Sequence, residues 1–410
     1  MDRAQPLMLQ TPATTDPSSR AVAGRTILQI VPDLQSGGAE RSAVDVAEAL
    51  ALAGARSLVV SRGGRMVSEL QSKGGVWIPF PAATKNPLSM AANVLRLARI
   101  IREEGVDIVH ARSRAPAWVA YYAAQRAGAR FVTTYHSIYS GASPIKRRYN
   151  AIMAAGDAVI ANSRYTARRI AHLYPQAIGR IVVIPRGVDP RLFTPAAVDP
   201  RRVERLRGAW GVAPHERIVL LPARLAPRKG HAVLVAAAKA LIEQGRRDMR
   251  FIFVGDAPSE SFRRALEAQI TREGLIGSVR FAGYCADMPA AYLAAAAIVA
   301  PATEPEAFGR VAAEAQAMGA PTIVSDIGAA PEVVLGPPEA PPEQATGWRF
   351  PVGDPGALAR QIGEALDLTA SERDALSLRA RDHIASRYFI ERMCSSTLDV
   401  YERLLAEPPR

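Results

Sequence analysis

Apolar residues along the chain follow two alternating patterns. Short runs rich in β-branched side chains, such as TILQIV at 26–31, predict buried strands. Longer stretches with apolar residues at helical spacing lie between these runs, the first of them at 39–53. Strands that alternate with helices in this way predict parallel sheets covered by helices on both faces.

This alternation runs through the chain twice. The predicted strands of the first series are 26–31, 106–110, 130–135, 158–160 and 181–184, and those of the second are 218–221, 250–254, 279–281, 298–300 and 322–324. The turn-rich segment PRGVDP joins the two series and predicts a hinge. Four prolines at 337–342 predict an irregular insertion, and the last helical pattern covers 388–406.

Two series predict two doubly wound α/β domains. A chain of 410 residues, 49% of them hydrophobic, can bury two separate cores. We place the first domain at 25–190 and the second at 191–386, with a disordered arm at 1–24 and a terminal helix at 387–410. Ligands of such sheets bind at the carboxyl ends of the strands, so the site is expected in the cleft between the domains.

Composition favours a cytoplasmic protein without a spanning helix. Cys285 and Cys394 lie far apart and form no metal-ligand motif, which fits a reducing compartment. The most apolar stretch, 290–300, has about half of the roughly 20 residues that a membrane span needs. It is interpreted as a buried helix followed by a strand. The first two dozen residues lack the basic start and apolar block of a signal peptide.

Positive charge is concentrated in one quarter of the chain. Residues 91–191 contain 16 Lys and Arg against 5 Asp and Glu, nearly all of the net charge of +12. A basic surface of this kind indicates an anionic partner, either nucleic acid or an acidic membrane, or else an Arg-rich solvated surface. The segment contains no known nucleic-acid-binding motif, so a membrane is the expected partner. Lys146, Arg147 and Arg148, followed by Tyr149 and apolar 151–153, predict a short basic amphipathic helix.

Two glycines follow the first predicted strand. Gly37 and Gly38 precede a helix, where free N–H groups and the positive end of the helix dipole favour a phosphate or a sugar. A tight turn between strand and helix is the alternative explanation. The G-x-G-x-x-G pattern occurs nowhere, which disfavours a dinucleotide-dependent dehydrogenase.

A pair of cations follows the first strand of the second series. Arg224 and Lys229 are expected to reach a common point, where they would neutralise a diphosphate leaving group. Asp-x-Asp occurs nowhere in the chain, so the usual acidic anchor of a metal–diphosphate is missing and no metal is expected.

The most specific pattern is E-x-F-G-x-x-x-x-E. Glu306 is expected in a loop and Glu314 about two turns into the following helix, where carboxylates can accept hydrogen bonds from sugar and ribose hydroxyls. The N–H groups around Phe308 and Gly309 open this helix and can face the hexose and its phosphate. A solvated helix face is the alternative for two glutamates at this spacing.

Together these motifs resemble glycosyltransferase family 4, which has the GT-B fold of two Rossmann-like domains facing a cleft. The resemblance covers about 25–405 and rests on GGAE at 37–40, the Arg224/Lys229 pair, FVGD at 253–256 and the E-x7-E segment at 306–314. The segments HARSR, TTYHS and IPRGVD more narrowly resemble bacterial transferases of lipopolysaccharide core or related surface glycans.

The resemblance implies a role for each site residue. Gly37 and Gly38 would line the donor phosphate and the acceptor, and Arg224 and Lys229 would hold the diphosphate. Glu306 would bind hexose hydroxyls. The remaining implied roles are ribose binding by Glu314, contact with the transferred sugar by His136, base recognition by the backbone of Gly283 and Tyr284, and donor binding at the helix start formed by Phe308, Gly309 and Arg310. His110 is the expected second histidine contact, and the last helix would cross back onto the N-terminal domain.

The implied activity is retaining transfer of a hexose from a UDP- or GDP-sugar to a glycan or lipid-linked acceptor, without a metal or other cofactor. Front-face attack is expected, with the leaving phosphate taking the proton of the acceptor. A nucleotide-sugar epimerase of the same fold and a non-catalytic nucleotide-binding regulator are the alternatives. The protein would act as a peripheral protein on the cytoplasmic face of the inner membrane.

Overall fold

The computed structural model describes residues 20–35, 37–84, 86–139 and 143–408. The chain divides into two compact units, one formed by 1–187 together with 390–410, and the other by 188–389. No helix within the described ranges is both long and apolar enough to cross a bilayer.

Unit 1 is built on a parallel sheet. Its described strands are β1 (Thr26–Ile30), β2 (Arg56–Ser61), β3 (Val76–Pro79), β4 (Ile108–Ala111), β5 (Arg130–Tyr135), β6 (Ala158–Ala161) and β7 (Ile181–Val183). Its described α-helices are α1 (Gly38–Leu52), α2 (Val67–Ser72), α3 (Pro87–Glu103), α4 (Arg114–Ala127), α5 (Pro144–Asn150), α6 (Arg164–Leu173) and α15 (Ile390–Ala406). The strand order is β3-β2-β1-β4-β5-β6-β7.

Unit 2 repeats the same plan. Its strands are β8 (Arg217–Pro222), β9 (Met249–Val254), β10 (Val279–Gly283), β11 (Ala297–Ala300), β12 (Thr322–Ser325) and β13 (Trp348–Phe350), in the order β10-β9-β8-β11-β12-β13. Its α-helices are α7 (Pro200–Ala209), α8 (His231–Glu243), α9 (Glu260–Arg272), α10 (Met288–Ala294), α11 (Arg310–Ala317), α12 (Ala330–Val333), α13 (Pro355–Asp367) and α14 (Ala370–Arg387). The prediction of two doubly wound parallel sheets is confirmed.

Burial explains the continuous apolar runs of the strands. All five residues of β1 are buried, as parallel strands covered on both faces require. The Ala-rich stretch at 290–300 forms the end of α10 and then β11, as its pattern predicts. Strands β2 and β3 and helices α2 and α3 were not individually predicted. β3 is an edge strand with two exposed and two partly buried residues, so its hydrophobic signal is weak.

The terminal helix packs on unit 1. Helix α15 lies against α1, with Leu398 and Tyr401 in a cluster that also contains Val46 and Leu50. This arrangement agrees with the predicted return of the last helix to the N-terminal domain.

The disordered arm predicted at 1–24 includes residues that pack on unit 1. Residues 1–19 lie outside the described residues, but 20–24 form a turn against α15. Arg20 donates to Asp399 Oδ1 at 2.7 Å and to Ser395 Oγ at 2.6 Å, and Val22 is fully buried.

Candidate active site

Sheet topology places the candidate residues of each unit. In a doubly wound sheet the loops that diverge at the reversal of strand order leave room for a ligand. This reversal lies between β1 and β4 in unit 1 and between β8 and β11 in unit 2. Gly37 follows β1, whereas Lys229 follows β8 and Glu306 follows β11. The predicted residues of each unit therefore come from loops at its own switch point.

In unit 2, the loop after β8 docks on the loop after β11. Gly230 has a positive φ of 73°, and a Cβ there would lie 1.7 Å from the carbonyl oxygen of Pro301. Only glycine fits this approach. The N–H of Thr303 also donates to the carbonyl of Arg228 at 3.0 Å. The sequence PRKG is thus a short 3-10 turn held against the second loop.

This docking brings Lys229 to Glu306. The two side chains form an ion pair, and each is only about one-fifth exposed (20% and 22%). The backbone of Glu306 is held in turn, since its carbonyl accepts a 3.0 Å hydrogen bond from the N–H of Ala329. Lys229 and Glu306 are therefore positioned as a partly buried pair of opposite charge.

Arg224 behaves differently from Lys229. Its side chain is exposed and, among the described residues, has no ion-pair partner. Its backbone is packed closely, because a Cβ at Gly255 would lie 2.9 Å from the nitrogen of Arg224. The structure thus pairs Lys229 with Glu306 and leaves Arg224 at the end of the strand with a free guanidinium.

Glu314 lies just over one turn into α11, not two turns as predicted. The helix begins at Arg310, and the Glu314 side chain is mostly buried. Tyr292 donates to Oε2 at 2.9 Å, and the Arg310 guanidinium donates to Oε1 at 2.6 and 3.1 Å. Burial, followed by the charge of Glu314, raises the pKa of Tyr292 well above its usual value. Two donors therefore fix the carboxylate, while its remaining lone pairs can accept from a ligand.

The start of α11 offers backbone donors. Gly309 is the N-cap with φ 92°, and the first N–H groups of an α-helix have no partner within the helix. The ring of Phe308 is buried against Tyr388, with centroids 5.5 Å apart. Phe308 can therefore contact a ligand only through its backbone.

Gly283 is the last residue of strand β10, and Tyr284 follows it. The carbonyl of Gly283 accepts a 2.8 Å hydrogen bond from the N–H of Gly255, so this oxygen already has one donor. Gly283 has φ 68°, and Tyr284 is 63% exposed. The exposed phenol ring is a surface that the sequence analysis, which considered only backbone, did not use.

In unit 1, Gly37 caps α1 with an ordinary φ of −80°. The Glu40 carboxylate is folded over Gly37, since a Cβ built there would lie 1.9 Å from it. Gly38 is the first residue of the helix. Ser36, which opens the S-G-G-A-E motif, lies outside the described residues.

His136 lines a cavity of about 540 Å³ together with residues from the loops after β1 and β4. Arg186 donates to Nδ1 of His136, so the proton of the neutral ring is on Nε2. This Nε2 is buried and has no hydrogen-bond partner among the described residues. Burial, then the charges of Arg186 and Arg112, hold the pKa of His136 well below its usual range. The neutral ring of His136 therefore has an N–H donor that no described residue accepts.

His110 is not the second contact that the sequence suggested. It is fully buried, its Nδ1 lies 2.6 Å from Tyr401 Oη, and its Nε2 lies 2.6 Å from Thr134 Oγ1. Both ring nitrogens are used, and the ring joins β4 to α15. His110 is a structural histidine.

Three polar residues at these sites were missed as site residues. Tyr292 lies in an apolar, Ala-rich run that carries no signal of a polar role, and Arg186 occurs in the predicted hinge. Arg112 is adjacent to His110 in HARSR, where the basic residues were counted only as surface charge.

Comparison with known proteins shows the family of this chain. The family model described as Glycosyltransferase Family 4 matches residues 36–192, and the model described as Glycosyl transferases group 1 matches 216–367. A D-inositol 3-phosphate glycosyltransferase of Xylanimonas cellulosilytica is 30% identical over 353 residues, covering 81% of this chain and 81% of that protein.

Solved structures show the same relationship. The crystal structure of a glycosyltransferase from Rickettsia africae has a TM-score of 0.84 and 33% identity, covering 94% of this chain and 99% of that one. HepE of Anabaena in complex with UDP and glucose has a TM-score of 0.79 and 25% identity, covering 92% and 100%. The fold is therefore GT-B, and the chain is a glycosyltransferase that belongs to glycosyltransferase family 4.

Proposed function

We propose that the protein transfers a hexose from a UDP- or GDP-sugar to a glycan or lipid-linked acceptor, with retention of anomeric configuration. The observation that carries this proposal is the group of Lys229, Glu306 and Glu314 around the switch point of unit 2. It offers a cation for phosphate and two held carboxylates for hydroxyls. The complexes of HepE with UDP and with UDP-glucose support a nucleotide-sugar donor, and UDP in particular.

In this proposal unit 2 binds the donor. Arg224 and Lys229 hold the diphosphate, Glu306 accepts from hexose hydroxyls, and Glu314 accepts from the ribose. The Lys229–Glu306 ion pair supports these roles, because it keeps both side chains in place before the donor arrives. When the donor binds, the contact between Lys229 and Glu306 would be replaced by two contacts, one from Lys229 to the diphosphate and one from a hexose hydroxyl to Glu306.

The remaining donor contacts are backbone groups. The N–H groups at Phe308, Gly309 and Arg310 would face the hexose and its phosphate. The backbone at Gly283 and Tyr284 would contact the base, and the exposed Tyr284 ring adds a surface for stacking.

Transfer needs no covalent intermediate on the protein. The acceptor hydroxyl attacks the anomeric carbon, the bond from that carbon to the β-phosphate oxygen breaks, and the hydroxyl proton passes to the leaving phosphate. Arg224 and Lys229 would stabilise the charge that grows on the diphosphate, in the absence of a metal. His136 would donate its Nε2 proton in a hydrogen bond to a sugar oxygen, and Gly37 and Gly38 would line the donor phosphate and the acceptor.

We also propose that unit 1 attaches the protein to the anionic cytoplasmic face of the inner membrane. Lys146, Arg147 and Arg148 are exposed on α5, beside Ile145, which is 83% exposed. The apolar side expected at 151–153 is not available, because Ile152 and Met153 are buried in the core of unit 1. Its place is taken by Ile145 and the partly exposed Tyr149, which lies stacked at 6.2 Å from Trp118. Basic side chains beside exposed apolar ones suit an acidic lipid surface.

The donor half of the proposal is tested by incubating the purified protein with UDP- and GDP-hexoses and following release of the nucleoside diphosphate. A transferase releases it in the presence of an acceptor and makes a new glycoside of retained configuration. An epimerase changes the donor sugar, but it releases no nucleoside diphosphate and forms no glycoside. A non-catalytic regulator binds the nucleotide and changes nothing, which would refute the proposal.

A further inference from the structure

The cavity of unit 1 is lined by an excess of positive charge. Arg112 and Arg114 enter it from the loop after β4 and the start of α4, and Lys146 enters it from α5. The carboxylate among the lining residues is Glu40, which lies folded over Gly37. Of the lining residues, the proposed function uses only the neutral His136, as a donor to a sugar oxygen.

Arg112 is the least expected member of this group. It is only 3% exposed, and its Nε donates to Gln29 Oε1 at 2.8 Å. Gln29 is itself fully buried and is fixed by a 2.9 Å hydrogen bond to the carbonyl of Ala43 on α1. The guanidinium therefore sits on a rigid support and cannot swing out to water.

Within the described part of the chain, the buried guanidinium has no ion-pair partner. Among the described residues, no carboxylate lies within 4.0 Å of Arg112, and its Nη2 has no hydrogen-bond acceptor. Burial lowers the pKa of Arg112, while interactions with Tyr401, Cys394 and Asp45 raise it. A buried charge without a partner is costly, and such a group persists where something pairs with it in the working state.

The neighbouring donors are held in the same cavity. Arg114 donates to Asn150 Oδ1 at 2.9 Å, and its guanidinium lies 4.4 Å from the ring centre of Tyr139. Lys146 reaches the same cavity from α5. A buried guanidinium N–H that no described residue accepts, beside two further cations, is what an oxyanion would satisfy.

We infer that this cavity binds an oxyanion, a phosphoryl or carboxylate group, carried by the acceptor sugar, with the Nη2 group of Arg112 as its buried donor and the side chains of Arg114 and Lys146 beside it. The inference rests on the proposed function, because it assigns a substrate class to the acceptor side of the same enzyme. Arg112 is then the residue that selects a charged acceptor over a neutral one.

Inorganic phosphate is the first probe. Calorimetry on the full chain at constant ionic strength should show phosphate binding that chloride does not reproduce. Arg112→Gln should weaken it at least tenfold, and the exposed Lys146→Ser should weaken it severalfold without any risk to folding. Arg99→Gln removes the same charge from an exposed site on α3 outside the cavity and should bind phosphate like the wild type. Absence of phosphate binding in the wild type, or equal loss in Arg99→Gln, overturns the inference.

Three further arms identify the source of the oxyanion. Glucose 6-phosphate should bind more tightly than glucose to the wild type, and Arg112→Gln should abolish this preference while changing UDP affinity by less than twofold. If UDP affinity falls along with that of glucose 6-phosphate, the site belongs to the donor diphosphate and the acceptor assignment is wrong. If only binding to phosphatidylglycerol vesicles is lost, the group is a lipid headgroup, and the assignment is wrong as well. Nucleoside diphosphate release, measured separately, shows whether the proposed function itself fails.

Discussion

Tyr292 Oη donates a 2.9 Å hydrogen bond to Oε2 of Glu314, and both side chains are buried in unit 2. The two residues are 22 positions apart, one on α10 and the other on α11. The spacing of Glu306 and Glu314 also fits a solvated helix face, but this hydrogen bond holds the Glu314 carboxylate in place as an acceptor. It also makes the nucleotide site depend on a residue that the motif does not contain.

Removing this contact should weaken nucleotide binding. Glu314→Ala should cost roughly 1–3 kcal/mol of UDP affinity, the usual effect of losing a charged hydrogen-bond partner. Tyr292→Phe should have a smaller effect in the same direction, because Arg310 still holds the other oxygen. Calorimetry with UDP measures both, and Tyr122→Phe, at an exposed tyrosine of unit 1, serves as the control. Normal UDP binding by Glu314→Ala would show that the ribose is bound elsewhere.

Glu306→Gln should separate turnover from binding. The amide keeps the size of the side chain but loses the ion pair with Lys229, so turnover should fall strongly while UDP binding stays near normal. Steady-state release of nucleoside diphosphate and calorimetry with UDP give the two values. A variant with full activity would remove Glu306 from the proposed hexose site.

Lys229→Ala should reduce kcat more than donor affinity, because the charge on the diphosphate grows towards the transition state. Arg224→Ala should do the same, and since Arg224 is exposed and has no ion-pair partner in the described ranges, the variant should fold normally. Arg264→Ala, on an exposed face of α9, is a control for the loss of charge. Activity should persist in EDTA. Loss of activity in EDTA that magnesium or manganese restores would contradict the metal-free mechanism.

The buried His383 should make the protein less stable in acid. Burial, followed by the charge of Arg387, lowers its pKa from 6.5 to about 4. The unfolded chain therefore takes up a proton below pH 6.5 that the folded chain does not, and stability falls as the pH drops towards 4. The loss amounts to about 2 kcal/mol at pH 5 relative to pH 7.5. Urea unfolding measures the free energy of unfolding at both pH values. The difference between the two values should be smaller in His383→Gln than in the wild type by about this amount. An unchanged difference would mean that folding does not lower the pKa of His383.

Membrane attachment should depend on α5. Arg147→Ser/Arg148→Ser should reduce co-sedimentation with anionic vesicles, since each basic residue near such a surface contributes about 1 kcal/mol. Lys146 is left unchanged because it also lines the cavity. Binding of the wild type should require acidic lipid and fall with salt.

The matched control removes two charges from unit 2, Arg264→Ser/Arg272→Ser, whose side chains are 71% and 69% exposed. It should sediment like the wild type. Equal binding of the wild type to neutral and anionic vesicles, or no binding to either, would remove the membrane proposal.

The architecture was predictable from the sequence because burial of parallel strands leaves a local signal. Continuous apolar runs such as β1 and β8, separated by amphipathic helices, determine two doubly wound units without reference to any long-range contact. The site was also predictable in the loops after these strands, since such sheets bind ligands at the strand ends of a switch point. The positions of Gly37, Lys229 and Glu306 follow from that rule and from their motifs.

Only the tertiary structure decided which side chains meet and which polar groups already have hydrogen-bond partners. Lys229 and Glu306 are 77 positions apart and meet because β8 is hydrogen-bonded next to β11 in the sheet. The same kind of long-range packing buries His110 against Tyr401, 291 positions away, and leaves His136 with a free N–H. Arg112 looked like one surface charge among sixteen, yet Gln29 holds it in the interior. Residue type and spacing report whether a position can be buried, whereas the partner of a buried polar group depends on strands and helices that are distant in the chain.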